Sequence, residues 1–229
     1  MILKDGSKDI MKSIKNKLFF FTKISLIKYI YLNYLCRNVV RNGSGKIIPY
    51  MNSCIELDKS SKITLYDGSV EIGRGKIKGS KKETYLRLRE NAVWIVHESC
   101  DISYGCTIEI LANALFETYY FTTNCNTTII SKKKIYIGHD VMIGRNVIIY
   151  DSDFHNIYRE NSLINKSEEI KINNHVWIAT NSVVLKGVEI GEGAVIGANT
   201  IVTNDVNEKN LVLSQYKKQV LNTGIRWER

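Results

Sequence analysis

The sequence predicts an all-β chain, a parallel β-helix of stacked coils built on a six-residue repeat, preceded by an N-terminal helical segment. Three observations carry that expectation. From Ile172 onward, apolar residues recur at Ile172, Ile178, Val184, Ile190, Ile196 and Val202, and between them lie Asn174, Asn181, Gly187, Gly193 and Asn199. An earlier block keeps the same beat at Ile137, Ile143 and Ile149, with Gly138 and Gly144 directly after the first two. Further upstream, Ile102, Ile108 and Phe121, with Gly105, Asn113 and Asn124, follow the pattern in poorer register.

A period of six belongs neither to a helix nor to a simple alternating strand. It fits a short strand followed by a tight turn, so that every sixth residue enters one narrow core. Gly and Asn recur because such turns need backbone conformations that other residues adopt at a cost. Each coil then buries the face of its neighbour, at about 4.7–4.9 Å per layer.

The first element in order is the N-terminal segment. From about Ser7 to Val40 the residues favour one or two helices ending near Gly43 and Gly45, with Lys8, Lys12 and Lys15 on one face. Residues 1–50 hold ten Lys/Arg and two acids, Asp5 and Asp9, whereas the rest of the chain holds 22 and 21, so eight of the nine excess positive charges lie there. That distribution argues against a nucleic-acid-binding surface across the fold. Leu18–Cys36 is rich in Phe, Ile, Leu and Tyr, but Lys23 and Lys28 would each cost about 2.5–3.5 kcal/mol at a bilayer centre. A basic amphipathic element of this kind either lies on an anionic membrane surface or packs against the body as a cap. The expected organisation is therefore a basic helical segment at 1–50, a β-helix at 51–206 and a C-terminal cap or tail at 207–229. The five cysteines show no metal or CxxC spacing, and no cleavage site follows the early apolar run, which suggests a cytoplasmic protein with reduced thiols.

The repeat breaks after Ile149. Counting by six from Ile149 leads to His155, in the string Asp151-Ser152-Asp153-Phe154-His155-Asn156-Ile157, and a polar excursion, Asn165–Lys171, precedes the restart at Ile172. Local rules tend to fail at functional sites. A histidine there can accept a proton near neutral pH. His139 and His175 occupy turn positions and His97 lies in the irregular region, so these three read as structural or solvated.

These hexads resemble those of the hexapeptide-repeat acyltransferases, over roughly residues 55–229. The resemblance implies a left-handed β-helix, acetyl-CoA as co-substrate, a sugar hydroxyl as acceptor and a homotrimer with active sites between subunits. The D-x-D-F-H-x-I string resembles the catalytic segment of capsule and O-antigen O-acetyltransferases, implying His155 as general base. Asp153 and Asp151 would then orient the imidazole or hold sugar hydroxyls, with turn formation the other reading of Asp151. Asn124-Cys125-Asn126-Thr127-Thr128 resembles the segment of galactoside and maltose acetyltransferases in which an asparagine binds the acceptor, implying that role for Asn124. His175-Val176-Trp177-Ile178-Ala179-Thr180 resembles the acetyl-CoA segment. Trp177 would wall the pantetheine arm or acyl group, and Ala179, Thr180, Ala198 and Thr203 would line the groove. Asn204 stands where the family usually carries Lys or Arg, and Ser214–Lys218 replaces its closing motif; Lys218 keeps a basic position that would meet a CoA phosphate.

Three other readings make different demands on the residues. A zinc carbonic anhydrase needs three convergent histidines, and the spacing for them is missing, so no metal is expected. An N-acetyltransferase of an amino-sugar nucleotide can carry a Gly-rich nucleotide-binding unit at its N-terminus, which this chain lacks. A non-catalytic β-helix scaffold would require neither the His155 string nor Trp177.

Overall fold

The computed structural model describes residues 23–214. The N-terminal Lys8, Lys12 and Lys15 and the C-terminal Lys218 lie outside the described residues. The chain winds into a three-sided parallel β-helix in which each strand pairs with the strand one full coil later. Face one has seven strands, from Val39–Arg41 to Glu189–Ile190, and face two has eight, from Lys46–Pro49 to Leu211–Val212. Face three has seven, from Ser53–Leu57 to Ile201–Val202. The architecture is the left-handed parallel β-helix. Its strands begin at Val39 and end at Val212, so the solenoid extends beyond the expected 51–206 at both ends.

The six-residue beat has the expected physical meaning. Ile172, Ile178, Val184, Ile190, Ile196 and Val202 are all buried, as are Ile137, Ile143 and Ile149 of the earlier block. The poorly registered upstream positions Ile102, Ile108 and Phe121 are buried too. There the core widens to take Trp94, Phe116 and Phe121, with Trp94 and Phe116 stacked at 5.5 Å. Larger side chains disturb the simple hexad in that region. The Trp94 indole N–H donates to Thr118 Oγ1 at 3.0 Å, so its one polar atom is satisfied.

The turns explain the asparagines. Asn126, Asn146, Asn181 and Asn199 occupy the same turn of successive coils, all with φ between 55° and 64°. Their amides form a ladder, each Nδ2 donating to the next Oδ1 at 3.1, 2.9 and 3.1 Å. An amide carries both a donor and an acceptor, so it can stack indefinitely along a solenoid. At neighbouring turns the coils approach too closely for a side chain. A Cβ at Gly144 would lie 2.8 Å from the Thr180 nitrogen.

The expected long N-terminal helix is short among the described residues: an α-helix at Leu26–Ile30 continues as a π-helical turn at Tyr31–Leu35. It ends there because the chain enters the first strand at Val39. The segment caps the open end of the solenoid. Leu32 and Asn33 are buried on the first coil. The Asn33 amide donates to the Ile47 carbonyl at 2.7 Å and accepts from the Ile47 N–H at 3.0 Å. It thereby satisfies part of an otherwise unpaired edge of face two.

Candidate active site

The break in the repeat is a real excursion from the solenoid. After the face-three strand Ile148–Tyr150 the chain leaves at the edge between faces three and one, and re-enters at Ile170–Ile172. Within the excursion Tyr158–Arg159 and Ser162–Leu163 pair as a small antiparallel hairpin. His155 sits on its exposed base, with Phe154 before it held at φ 62° and packed edge-on to Tyr150 at 5.2 Å.

The two aspartates that precede the histidine do different work. Asp151 is fully buried. Its Oδ1 accepts from the Lys132 N–H at 2.6 Å, and its Oδ2 accepts from the Lys133 N–H at 2.8 Å and the Ser131 hydroxyl at 3.1 Å. Burial pushes its carboxyl up from the ordinary range, and these donors oppose the shift. A carboxylate so enclosed has no face for a sugar, which corrects the substrate-binding expectation for Asp151: it holds the turn on the preceding coil.

Asp153 is exposed and accepts from Lys186 and, at 3.0 Å, from the Asn165 amide. Those partners, Lys186 first, hold its carboxyl below the usual value. Its contact with His155 runs through the backbone, where the His155 N–H donates to the Asp153 carbonyl at 2.7 Å. Among the described residues the Asp153 carboxylate therefore pairs with a lysine and leaves the His155 ring alone.

Asn165 and Lys186 were missed in the sequence. Asn165 joins three points of the loop: besides Asp153, it donates to the His155 carbonyl at 2.7 Å and accepts from the Ile157 N–H at 2.7 Å. The only available signal for Lys186 is its register. It follows Leu185, which pairs with Tyr150, so it stands one coil beyond Asp151. The sign of the Asp153 shift gives a prediction. A carboxyl depressed in the folded state contributes above its unfolded value of about 3.9 and is lost as pH falls through the lower folded value. Limited proteolysis within 151–169 should therefore be flat between neutral pH and about pH 5. Lys186→Gln should raise it severalfold at neutral pH without moving the unfolding midpoint. Unchanged cleavage would deny Lys186 its part in fixing the loop.

The remaining expected site residues lie elsewhere on the prism. Asn124 is exposed at the edge between faces two and three, where its Oδ1 accepts from the Cys125 N–H at 2.8 Å and from Arg145 Nε at 3.2 Å. Along the same edge in later coils come half-buried Ala179 and exposed Thr180 and Ala198. Trp177 projects outward from face two, 49% exposed, paired in register with Met142 and Val195. Thr203 is exposed at the end of the last face-three strand. A single chain thus places His155 at one edge and the Asn124, Thr180 and Ala198 column at another.

The other histidines have structural partners. His97 stacks between Tyr66 at 5.0 Å and Tyr119 at 4.3 Å, His139 pairs with Glu98 at 2.7 Å, and His175 with Asp140 at 2.6 Å. Among the described residues no cluster of three or more His, Cys, Asp or Glu is placed to hold a metal ion.

Residues 169–204 match the family model for the bacterial transferase hexapeptide, six repeats. The chain is 37% identical over 127 residues to the galactoside O-acetyltransferase of Escherichia coli, covering 55% of this chain and 58% of that one. It is 33% identical over 90 residues to the polysialic acid O-acetyltransferase of Neisseria meningitidis, covering 38% and 39%. The chain thus spans about half the length, or less, of such curated relatives. Among solved structures it is similar to AntD, an N-acyltransferase from Bacillus cereus seen with coenzyme A and a dTDP-amino sugar. That likeness has a TM-score of 0.50 at 15% identity, covering 82% of this chain and 83% of that one, and it concerns the fold.

Proposed function

We propose that the protein is an acetyl-CoA-dependent O-acetyltransferase acting on a sugar hydroxyl of a surface glycan, with His155 as general base. The single observation that carries this reading is the exposed His155 on a braced loop where the hexad repeat of the later coils breaks. The similarity to sugar O-acetyltransferases supports it. In the reaction the sugar O–H gives its proton to the His155 imidazole as the oxygen attacks the thioester carbonyl. The tetrahedral intermediate places negative charge on the former carbonyl oxygen, which calls for an N–H donor. The C–S bond then breaks, the acetyl group stays on the sugar oxygen, and the imidazolium returns the proton to the CoA thiolate.

The reading requires a second copy, because His155 and the Asn124–Thr180–Ala198 edge are separated within one chain. The surface chemistry supports association. Face two carries exposed Met142, Trp177 and Leu211, and face three carries half-buried Ile148, Tyr150, Val183 and Leu185 with exposed Ile201. Face one is polar there, with Lys171 and Glu189 paired at 2.7 Å. Contact of face two on one copy with face three on the next is heterologous and closes as a ring, for which we propose a homotrimer. Trp177, half exposed in the single chain, would then wall the acetyl-CoA arm beside Ala179, Thr180, Ala198 and Thr203. Asn124 would hold the acceptor.

The test is release of free CoA thiol from acetyl-CoA against a panel of acceptors that includes neutral sugars, sialic acid polymers and amino sugars. Product mass and position are read in parallel with molar mass by light scattering. Transfer to a hydroxyl by a trimer is expected. Transfer only to a sugar amine would give an N-acyltransferase, no transfer would give a scaffold, and an active monomer would overturn the shared site.

A further inference from the structure

The N-terminal cap buries one side and leaves the other bare. Along ten residues, Leu26, Ile27, Ile30, Tyr31, Tyr34 and Leu35 are all more than half exposed, Ile27 to 85%. They fall in two rows at a spacing of four, 26–30–34 and 27–31–35, which places them on neighbouring strips of one helical surface. Leu32 and Asn33, on the other side of the helix, face the solenoid. Apolar clusters of this size on a surface mark a contact with protein or lipid.

The charge around it decides which. From Lys23 to Ile55 the chain carries five Lys/Arg and no acid; Arg41 is turned onto the Leu32 carbonyl, and Lys28 onto the Ser53 carbonyl and toward Glu83. Arg37 and Lys46 are exposed beside the cap. A second copy meeting here would bring like charges together, and the apolar strips suited to copy contacts lie on faces two and three of the later coils. An anionic bilayer complements both properties, taking the apolar rows into its interfacial region and the bases at its headgroups. No helix among the described residues is long and apolar enough to cross a membrane. We propose that the cap surface Leu26–Leu35 docks the protein peripherally on an anionic lipid bilayer, its helix lying in the interface. This placement is independent of the acetyl-transfer reading, since it rests on the opposite end of the molecule from the later coils.

The experiment is sedimentation of the full-length protein with phosphatidylcholine vesicles, with and without phosphatidylglycerol, at low and high salt. Binding to the anionic vesicles that weakens with salt is expected, because exposed charges are screened within about 8 Å at physiological ionic strength. Ile27→Glu with Leu35→Glu should lower partitioning about tenfold or more, since each apolar side chain left in water forfeits its burial. Arg37→Gln and Lys46→Gln should each lower it about fivefold, the equivalent of about 1 kcal/mol per base near the surface. Tyr34→Ser, a milder change, keeps the test open if the double variant misfolds. Equal binding to neutral vesicles, no binding, or binding unmoved by folded cap variants would overturn the proposal. So would a change of molar mass in those variants with vesicle binding intact, which would assign the surface to another copy.

Discussion

The His155→Ala protein is expected to fold, to hold acetyl-CoA, and to turn over roughly 10²–10⁴ times more slowly than the parent chain, the span typical of a lost general base. Folding should survive because His155 is exposed and, among the described residues, its ring hydrogen-bonds no neighbour. Exposed substitutions away from special features usually change stability by no more than about 0.5 kcal/mol. The base acts in the transition state, so turnover should fall with little change in the acetyl-CoA dissociation constant. Steady-state kinetics beside calorimetric titration of acetyl-CoA would separate the two. Near-normal turnover in a folded variant would remove the central claim about this site.

The largest stability effect is expected at Asp151. Its carboxylate accepts from two backbone N–H groups and one hydroxyl with no exposure to solvent. Asp151→Ala would leave those donors buried without an acceptor, at about 1–3 kcal/mol each. The sum need not be additive, and a loss of about 3 kcal/mol or more is expected. Asp151→Asn should fall between alanine and the parent, because one of its two terminal atoms still accepts. Denaturant unfolding checks both, and a midpoint unmoved in Asp151→Ala would contradict the turn-holding role. Activity should fall as well, since Asp151 starts the loop that carries His155, through whatever order that loop retains.

Much of the fold was legible in the residues themselves. A spacing of six, held from Ile172 to Val202, admits one kind of stacked coil, and each of those positions is buried. Asn181 and Asn199 could be read as turn residues because the left-handed backbone they adopt is costly for most others. His155 was legible as a fault in that rhythm. The first coils are harder to read: Trp94, Phe116 and Phe121 fill the core there, so the beat drifts, and the strands Val39–Arg41 and Lys46–Pro49 fall within the segment expected to be helical.

The sequence by itself determined the later coils, their turns and the excursion after Tyr150, because all three follow from local spacing and backbone preference. Only the tertiary structure decided how neighbours across coils share polar groups. Asp151 and Asp153 stand two residues apart, yet one is enclosed by the N–H groups of Lys132 and Lys133 while the other is drawn outward by Lys186 and Asn165. Partners twelve to thirty-three residues away leave no mark in a local string, since only the path of the folded chain brings them to one edge. The same winding sets His155 on one edge and Asn124 with Thr180 on another, a separation that linear spacing does not contain. It also left the N-terminal helix with one side buried and the other exposed, because a helix lying on a coil can bury only the face it turns inward.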